Sequence, residues 1–171
     1  MDAAQAKFLV NTLAGSLENE FKSTCKVLAA VKEDNKSYKP DDKSRSAWEL
    51  ATHIATSDVW FLDSIIQGKF NFDPEAAKQA EGQFKSVNDV VEFYKKVFPA
   101  KLAELRGLSD ENLTRTVDFF GMMQMPAAGF LPLMNNHSIH HRGQLAAYLR
   151  PMGSKVPAIY GGSADKPMRT A

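Results

Sequence analysis

Apolar positions along this chain recur with the helical period in four separate stretches, and almost nowhere with the two-residue period of a strand. In residues 4–31, Phe8, Leu9, Leu13, Leu17, Phe21, Cys25 and Leu28 fall at intervals close to one helical turn, which lines them along one face. The polar stretch 32–40, ending in Pro40, reads as a loop. A second helix opens at Ser46 with Glu49 three residues later, a pair whose side chains can each bond the other's backbone N–H. Trp48, Ala51, Ala55, Leu62 and Ile65 outline its apolar stripe, and Gly68 supplies the stop.

Residues 69–85 hold Pro74, Gly82 and many Lys, Glu and Gln residues, a connector with room for a short helical piece. Ser86 and Asp89 open a third helix carrying Val90, Val91, Tyr94, Val97, Phe98, Leu102 and Leu105 up to Gly107. Pro99 lies inside it, lacks a backbone N–H, and is expected to bend or weaken its middle. The fourth helix ends at Arg150, before Pro151 and Gly153. Its first residue is either Pro126 or Pro132, and a start at Pro126 implies a kink at Pro132. Between the third and fourth helices, VDFFGMMQM suggests a short extended excursion, and after Gly153 no helical period remains. Four amphipathic segments without a strand pattern predict an all-α, up-and-down four-helix bundle as a single domain, 1–171.

Composition narrows the function. At 171 residues the chain can bury a core without cross-links. Lys and Arg total 21 against 20 Asp and Glu, which leaves no basic footprint for nucleic acid or an acidic membrane. Cys25, the sole cysteine, excludes a disulfide framework and any Cys-x-x-Cys metal knuckle. No secretory signal is visible, and no apolar run approaches the roughly 20 residues of a membrane span. The expectation is a soluble, cytoplasmic protein with neither a nucleic-acid nor a membrane partner.

Chemistry concentrates in the fourth helix. His137, His140 and His141 are three of only four histidines, and His137 and His141, four residues apart, stack on one face about one turn from each other. Helix-borne zinc motifs use that spacing, although histidine pairs also occur on ordinary polar faces. His53, in the second helix, offers a third ligand or is a hydrogen-bonded helix histidine. His140 lies about 100° from His141 around the helix and so points away. Asp58 is either a partner for a ligand imidazole or an exposed carboxylate. Arg142 and Gln144 read as a solvated arginine and a surface glutamine, and Gly143 as a point of close helix approach. Trp60, Phe61, Phe119, Phe120, Met122, Met123 and Met125 either line a pocket or, as is expected of most of them, pack in the core, and Cys25 is expected in the core of the first helix.

Residues 136–161, NHSIHHRGQLAAYLRPMGSKVPAIYG, resemble the C-terminal signature of the DinB-like family of four-helix-bundle metalloproteins. The likeness lies in His140-His141, Arg142-Gly143-Gln144-Leu145, Tyr148-Leu149-Arg150, Gly153, Pro157 and Tyr160-Gly161. WELATHIATSDVWFLDSI places His53 where that family carries its first ligand. The resemblance implies a zinc or nickel ion held by His53, His137 and His141, in a family that includes transferases and isomerases using low-molecular-weight thiols, and it implies that Arg142 and Gln144 either orient the site or join a subunit contact.

Two classes of function follow. One is a metal-dependent transferase or isomerase passing a small thiol to an electrophile, with a homodimer as a further expectation. The other is a non-catalytic, stress-associated metal-binding or interaction module whose ion pins the second and fourth helices. No Glu stands inside the histidine motif as a general base, which disfavours a hydrolase of the His-Glu-x-x-His type. No catalytic residue is identified.

Overall fold

The computed structural model describes residues 1–168, so the last three residues of the expected domain 1–171 lie outside the described residues. Among the described residues there are six α-helices: α1 (Ala3–Ala29), α2 (Ala47–Gln67), α3 (Pro74–Gly82), α4 (Val87–Arg106), α5 (Asp110–Thr114) and α6 (Leu131–Leu149). A hairpin of β1 (Thr116–Phe119) and β2 (Met123–Pro126) precedes α6. The four long helices α1, α2, α4 and α6 form the bundle expected from the sequence, with α1 and α2 each flanked by α4 and α6.

Cross-helix contacts fix the directions. Glu18 meets Arg106 and Phe21 stacks on Phe98, so α1 and α4 are antiparallel. Asp58 bonds Tyr94 and Asp63 pairs with Lys101, so α2 and α4 run the same way, and the four-helix bundle departs at this one step from strict up-and-down order. His53 lies beside His141 and Phe61 beside His137, so α2 and α6 are antiparallel. Only the connection from α2 to α4 must therefore travel the length of the bundle, and the 69–85 connector does so. Its short helical piece is α3, capped by the Asp73 side chain on the N–H groups of Glu75 and Ala76.

Local signals explain the ends. The Ser46–Glu49 and Ser86–Asp89 capping boxes both form, each contributing about 1 kcal/mol to helix stability. Gly68 closes α2 in the left-handed region at φ 69°. A Cβ there would also collide with the Arg115 side chain, whose guanidinium bonds the Ile65 and Ile66 carbonyls at the end of α2. Helix α4 continues through Pro99, and α6 starts at Leu131 with Pro132 in its first turn. That placement resolves the two possible starts, because a first-turn proline forfeits no helical hydrogen bond. The VDFFGMMQM excursion is the hairpin, whose tip places Phe120 and Gly121 at φ 55° and 72°.

The core is mostly apolar and shared by all four helices, with Leu17, Leu28, Leu50, Ile54, Leu62, Phe98, Leu105, Phe130, Leu131 and Leu145 fully buried. Two sequence expectations shift. Phe8 is 73% exposed, and Phe120, Met122 and Met123 stand out at the hairpin tip instead of entering the core. A period places a residue on a face of its helix; whether another element covers that face is decided elsewhere in the chain. Among the described residues, no helix is long and apolar enough to cross a membrane.

Candidate metal centre

Helices α2 and α6 bring three imidazoles together. His53 projects from α2, and His137 and His141 from consecutive turns of α6. Ring centroids are 5.2 Å apart for His53 and His137, 4.7 Å for His53 and His141, and 4.4 Å for His137 and His141. One nitrogen of each ring lies within 4.8 Å of the other two. All three rings are half-buried, whereas His140 is exposed and lies outside the group. The rotational argument from the sequence therefore holds for His140. His140→Ala is expected to keep most of the metal binding measured by competition with a chromophoric chelator, and His141→Ala to lose most of it. Equal loss in both would overturn that assignment.

Burial sets the charge state. It holds the His53 imidazole down to about 3, with the Arg45 guanidinium and the two neighbouring imidazoles acting in the same direction. Burial and the flanking His141 and His140 hold His137 down to about 4. Burial also lowers His141, against the opposing Gln144 hydrogen bond. At neutral pH the centre thus presents neutral imidazoles, the form that coordinates metal.

Two neighbours bear on which nitrogen is free. His141 Nδ1 is 2.8 Å from Gln144 Oε1; because an amide oxygen only accepts, Nδ1 carries the proton and Nε2 remains a donor to metal. His53 Nδ1 is 3.4 Å from Glu81 Oε1 on α3. Gln144 thus holds the His141 ring in one orientation. Glu81 went unnoticed, since nothing in residues 69–85 announces which turn of α3 will face α2. Among the described residues, His137 Nδ1 is buried without a hydrogen-bond partner, while the Phe61 ring packs 5.2 Å from the imidazole.

Asp58 corrects both sequence expectations. It is neither exposed nor bonded to an imidazole: it is fully buried, and its Oδ2 accepts hydrogen bonds from Tyr94 Oη at 2.7 Å and Ser138 Oγ at 2.8 Å. One carboxylate thereby ties α2, α4 and α6 together. Desolvation pushes its carboxyl up to about 7 despite those two bonds.

Arg142 is also not a surface residue. It is 1% exposed and donates to the Glu20 carbonyl at 3.1 Å, to Thr24 Oγ1 at 3.2 Å and to the Tyr160 hydroxyl, while pairing with the Glu20 carboxylate. It faces α1 and the tail, about 100° around α6 from His141, and locks the rotation of the helix that carries two of the imidazoles. Gly143 makes no close approach: a Cβ there would meet nothing within 4 Å. Cys25 is half-buried against the core, and burial pushes its thiol up to about 11, a poor nucleophile at neutral pH.

The centre suits a divalent ion. Nitrogens on one tetrahedral zinc stand about 3.3 Å apart, within reach of the spacing here by small side-chain torsions. The partnerless buried Nδ1 of His137 shows that the site is not satisfied by protein groups alone. A helical bundle with three neutral imidazoles converging from two of its helices defines a class of protein equipped to hold a metal ion.

The chain belongs to the DinB family, whose model matches residues 5–168. The uncharacterized protein YjoA of Bacillus subtilis (strain 168) is 34% identical over 132 residues, 76% of this chain and 82% of that protein. The crystal structure of YjoA, a DinB-like protein, superposes with a TM-score of 0.67 at 29% identity, covering 85% of this chain and 95% of that one. A DinB-like protein from Bacillus cereus ATCC 10987 gives 0.70 at 29% identity, covering 85% and 94%. The mycothiol-dependent maleylpyruvate isomerase gives 0.56 at 10% identity, covering 92% of this chain and 65% of that one, a likeness of fold.

Proposed function

We propose that this chain is a divalent-metal protein in which His53, His137 and His141 hold zinc or nickel, and that it transfers a low-molecular-weight thiol to an electrophile or uses one in an isomerisation. The observation that carries the reading is the convergence of three burial-neutralised imidazoles from two helices, with no fourth protein ligand in the group among the described residues. When bound, such an ion supplies the Lewis acidity that deprotonates a coordinated thiol at neutral pH. His53, His137 and His141 provide neutral donors, and Gln144 keeps Nε2 of His141 available. Phe61 shields one side of His137 from water. The thiol comes from outside the chain, because Cys25 is held protonated and its charged neighbours, Lys95 and Glu92, belong to α4. The shared fold of an isomerase that depends on mycothiol supports a thiol as the small molecule.

Cobalt substitution tests this. Adding a small thiol to the cobalt-loaded protein is expected to produce a strong sulfur-to-cobalt charge-transfer band that His53→Ala does not show. A loaded protein whose spectrum ignores thiols would leave the non-catalytic module, an ion pinning α2 to α6, as the function. Failure of the wild-type chain to take up cobalt, zinc or nickel would overturn the metal reading.

A further inference from the structure

Helix α3 has no fully buried residue, yet it lies along α2, at the end of the bundle where His53 sits. Its half-buried positions are Ala77, Ala80 and Glu81, with buried Phe84 just beyond its end, a three-and-four spacing that forms a single inward stripe. Two of the three inward positions on the helix are alanines; the third is a carboxylate. A carboxylate on an inward stripe requires a partner. Among the described residues Glu81 has one ion-pairing neighbour, His53 Nδ1 at 3.4 Å, with side-chain exposures of 35% for Glu81 and 19% for His53.

We propose that Glu81 is a positioning residue for the histidine centre, its carboxylate accepting the Nδ1 proton of His53 so that Nε2 of the same ring is the nitrogen offered to a metal. The inference rests on the metal reading above. A neutral imidazole carries one N–H, and whichever nitrogen is hydrogen-bonded to an acceptor leaves the other as ligand. His141 already shows this arrangement through Gln144. Glu81 gives His53 the same constraint, with a charged acceptor in place of an amide. A charged acceptor also raises the basicity of the ligand nitrogen. The 3.4 Å separation is that of an ion-pair contact, longer than an aligned hydrogen bond, and metal binding draws the two groups into one. Helix α3 thus fixes the tautomer of a ligand supplied by α2.

The test uses Glu81→Ala and Glu81→Gln in the full chain. Zinc affinity, from competition with a chromophoric chelator, is expected to fall roughly 10- to 100-fold in Glu81→Ala, the usual effect of removing such a partner. Glu81→Gln retains an acceptor oxygen without the charge and is expected to fall in between. The melting temperature of the metal-free protein should be unchanged in both, which a merely structural role for Glu81 would not allow. Imidazole ¹⁵N shifts of zinc-loaded protein should show His53 protonated at Nδ1 in the wild type and a mixed population in Glu81→Ala. Wild-type zinc affinity in Glu81→Ala overturns the positioning role and leaves the metal reading standing. So does a cobalt spectrum showing that a direct ligand has been lost. Failure of the wild type to bind zinc overturns the metal reading instead.

Discussion

Replacing any one of His53, His137 or His141 with alanine is expected to abolish tight metal binding and the stability that binding confers. Two imidazoles remain in each variant, too few to hold a tetrahedral ion firmly. The unfolded chain offers no preformed site, so binding free energy adds to folding free energy. At metal concentrations about 1,000-fold above Kd, the wild type should gain about 4 kcal/mol, or roughly 10 °C in Tm for a domain of this size. A chelator should remove that gain from the wild type and do nothing to the variants. Retention of full metal content and an unchanged chelator response by His53→Ala would remove α2 from the site and reduce it to a two-histidine patch on α6.

The acid limit of binding follows from the same burial. Free imidazole titrates near 6.5, so the sequence alone suggests that affinity fails below about pH 6. Folded His53 and His137 are held down to about 3 and 4, and His141 is lowered as well. Protons therefore compete later, and affinity should persist through pH 6 and fall toward pH 4. The metal-free protein meets the linked cost. Its histidines protonate in the unfolded chain near 6.5 but resist protonation when folded, so their contribution is fully present above pH 6.5. It declines as pH falls toward 3.

Asp58→Ala is expected to be the most damaging substitution outside the histidines. It removes the acceptor shared by Tyr94 Oη and Ser138 Oγ in a fully buried site. Each stranded hydroxyl costs about 1–3 kcal/mol, so a loss of about 3–5 kcal/mol is expected, read as a shift of the denaturant midpoint. Asp58→Asn keeps an acceptor oxygen and removes the charge. The folded carboxyl is raised from an ordinary 3.8 to about 7, so the wild type gains from Asp58 below pH 3.8 and loses that gain as pH rises through 7. The stability difference between wild type and Asp58→Asn should therefore swing toward the wild type as pH falls from 7 to 4. Taking the difference cancels the opposing histidine contribution. A difference that stays flat across that range would mean Asp58 is ionised throughout in the folded protein, and a harmless Asp58→Ala would mean the network carries no load.

Much of this protein is legible in its sequence, for reasons specific to particular residues. Ser46, Glu49, Ser86, Asp89 and Gly68 act through bonds to backbone only a few residues away, so their meaning survives without tertiary information. The four-residue separation of His137 and His141, and the outward turn of His140, are properties of one helix. The DinB-like resemblance of residues 136–161 was likewise readable, and the family match over 5–168 agrees with it.

What the sequence could not reveal involves partners far away in the chain. Asp58 is buried because Tyr94 and Ser138, 36 and 80 residues distant, present hydroxyls to it. Arg142 is inward because Glu20 and Thr24 wait on α1, more than 100 residues earlier. Glu81 meets His53 only because the connector from α2 to α4 must travel back along the bundle and lays α3 beside α2. Helical period and capping, which are local, determined the elements and two of the three imidazoles' alignment. Tertiary packing alone decided which charges are buried and which carboxylate stands behind which ligand, because burial and desolvation depend on what the rest of the chain brings to each face.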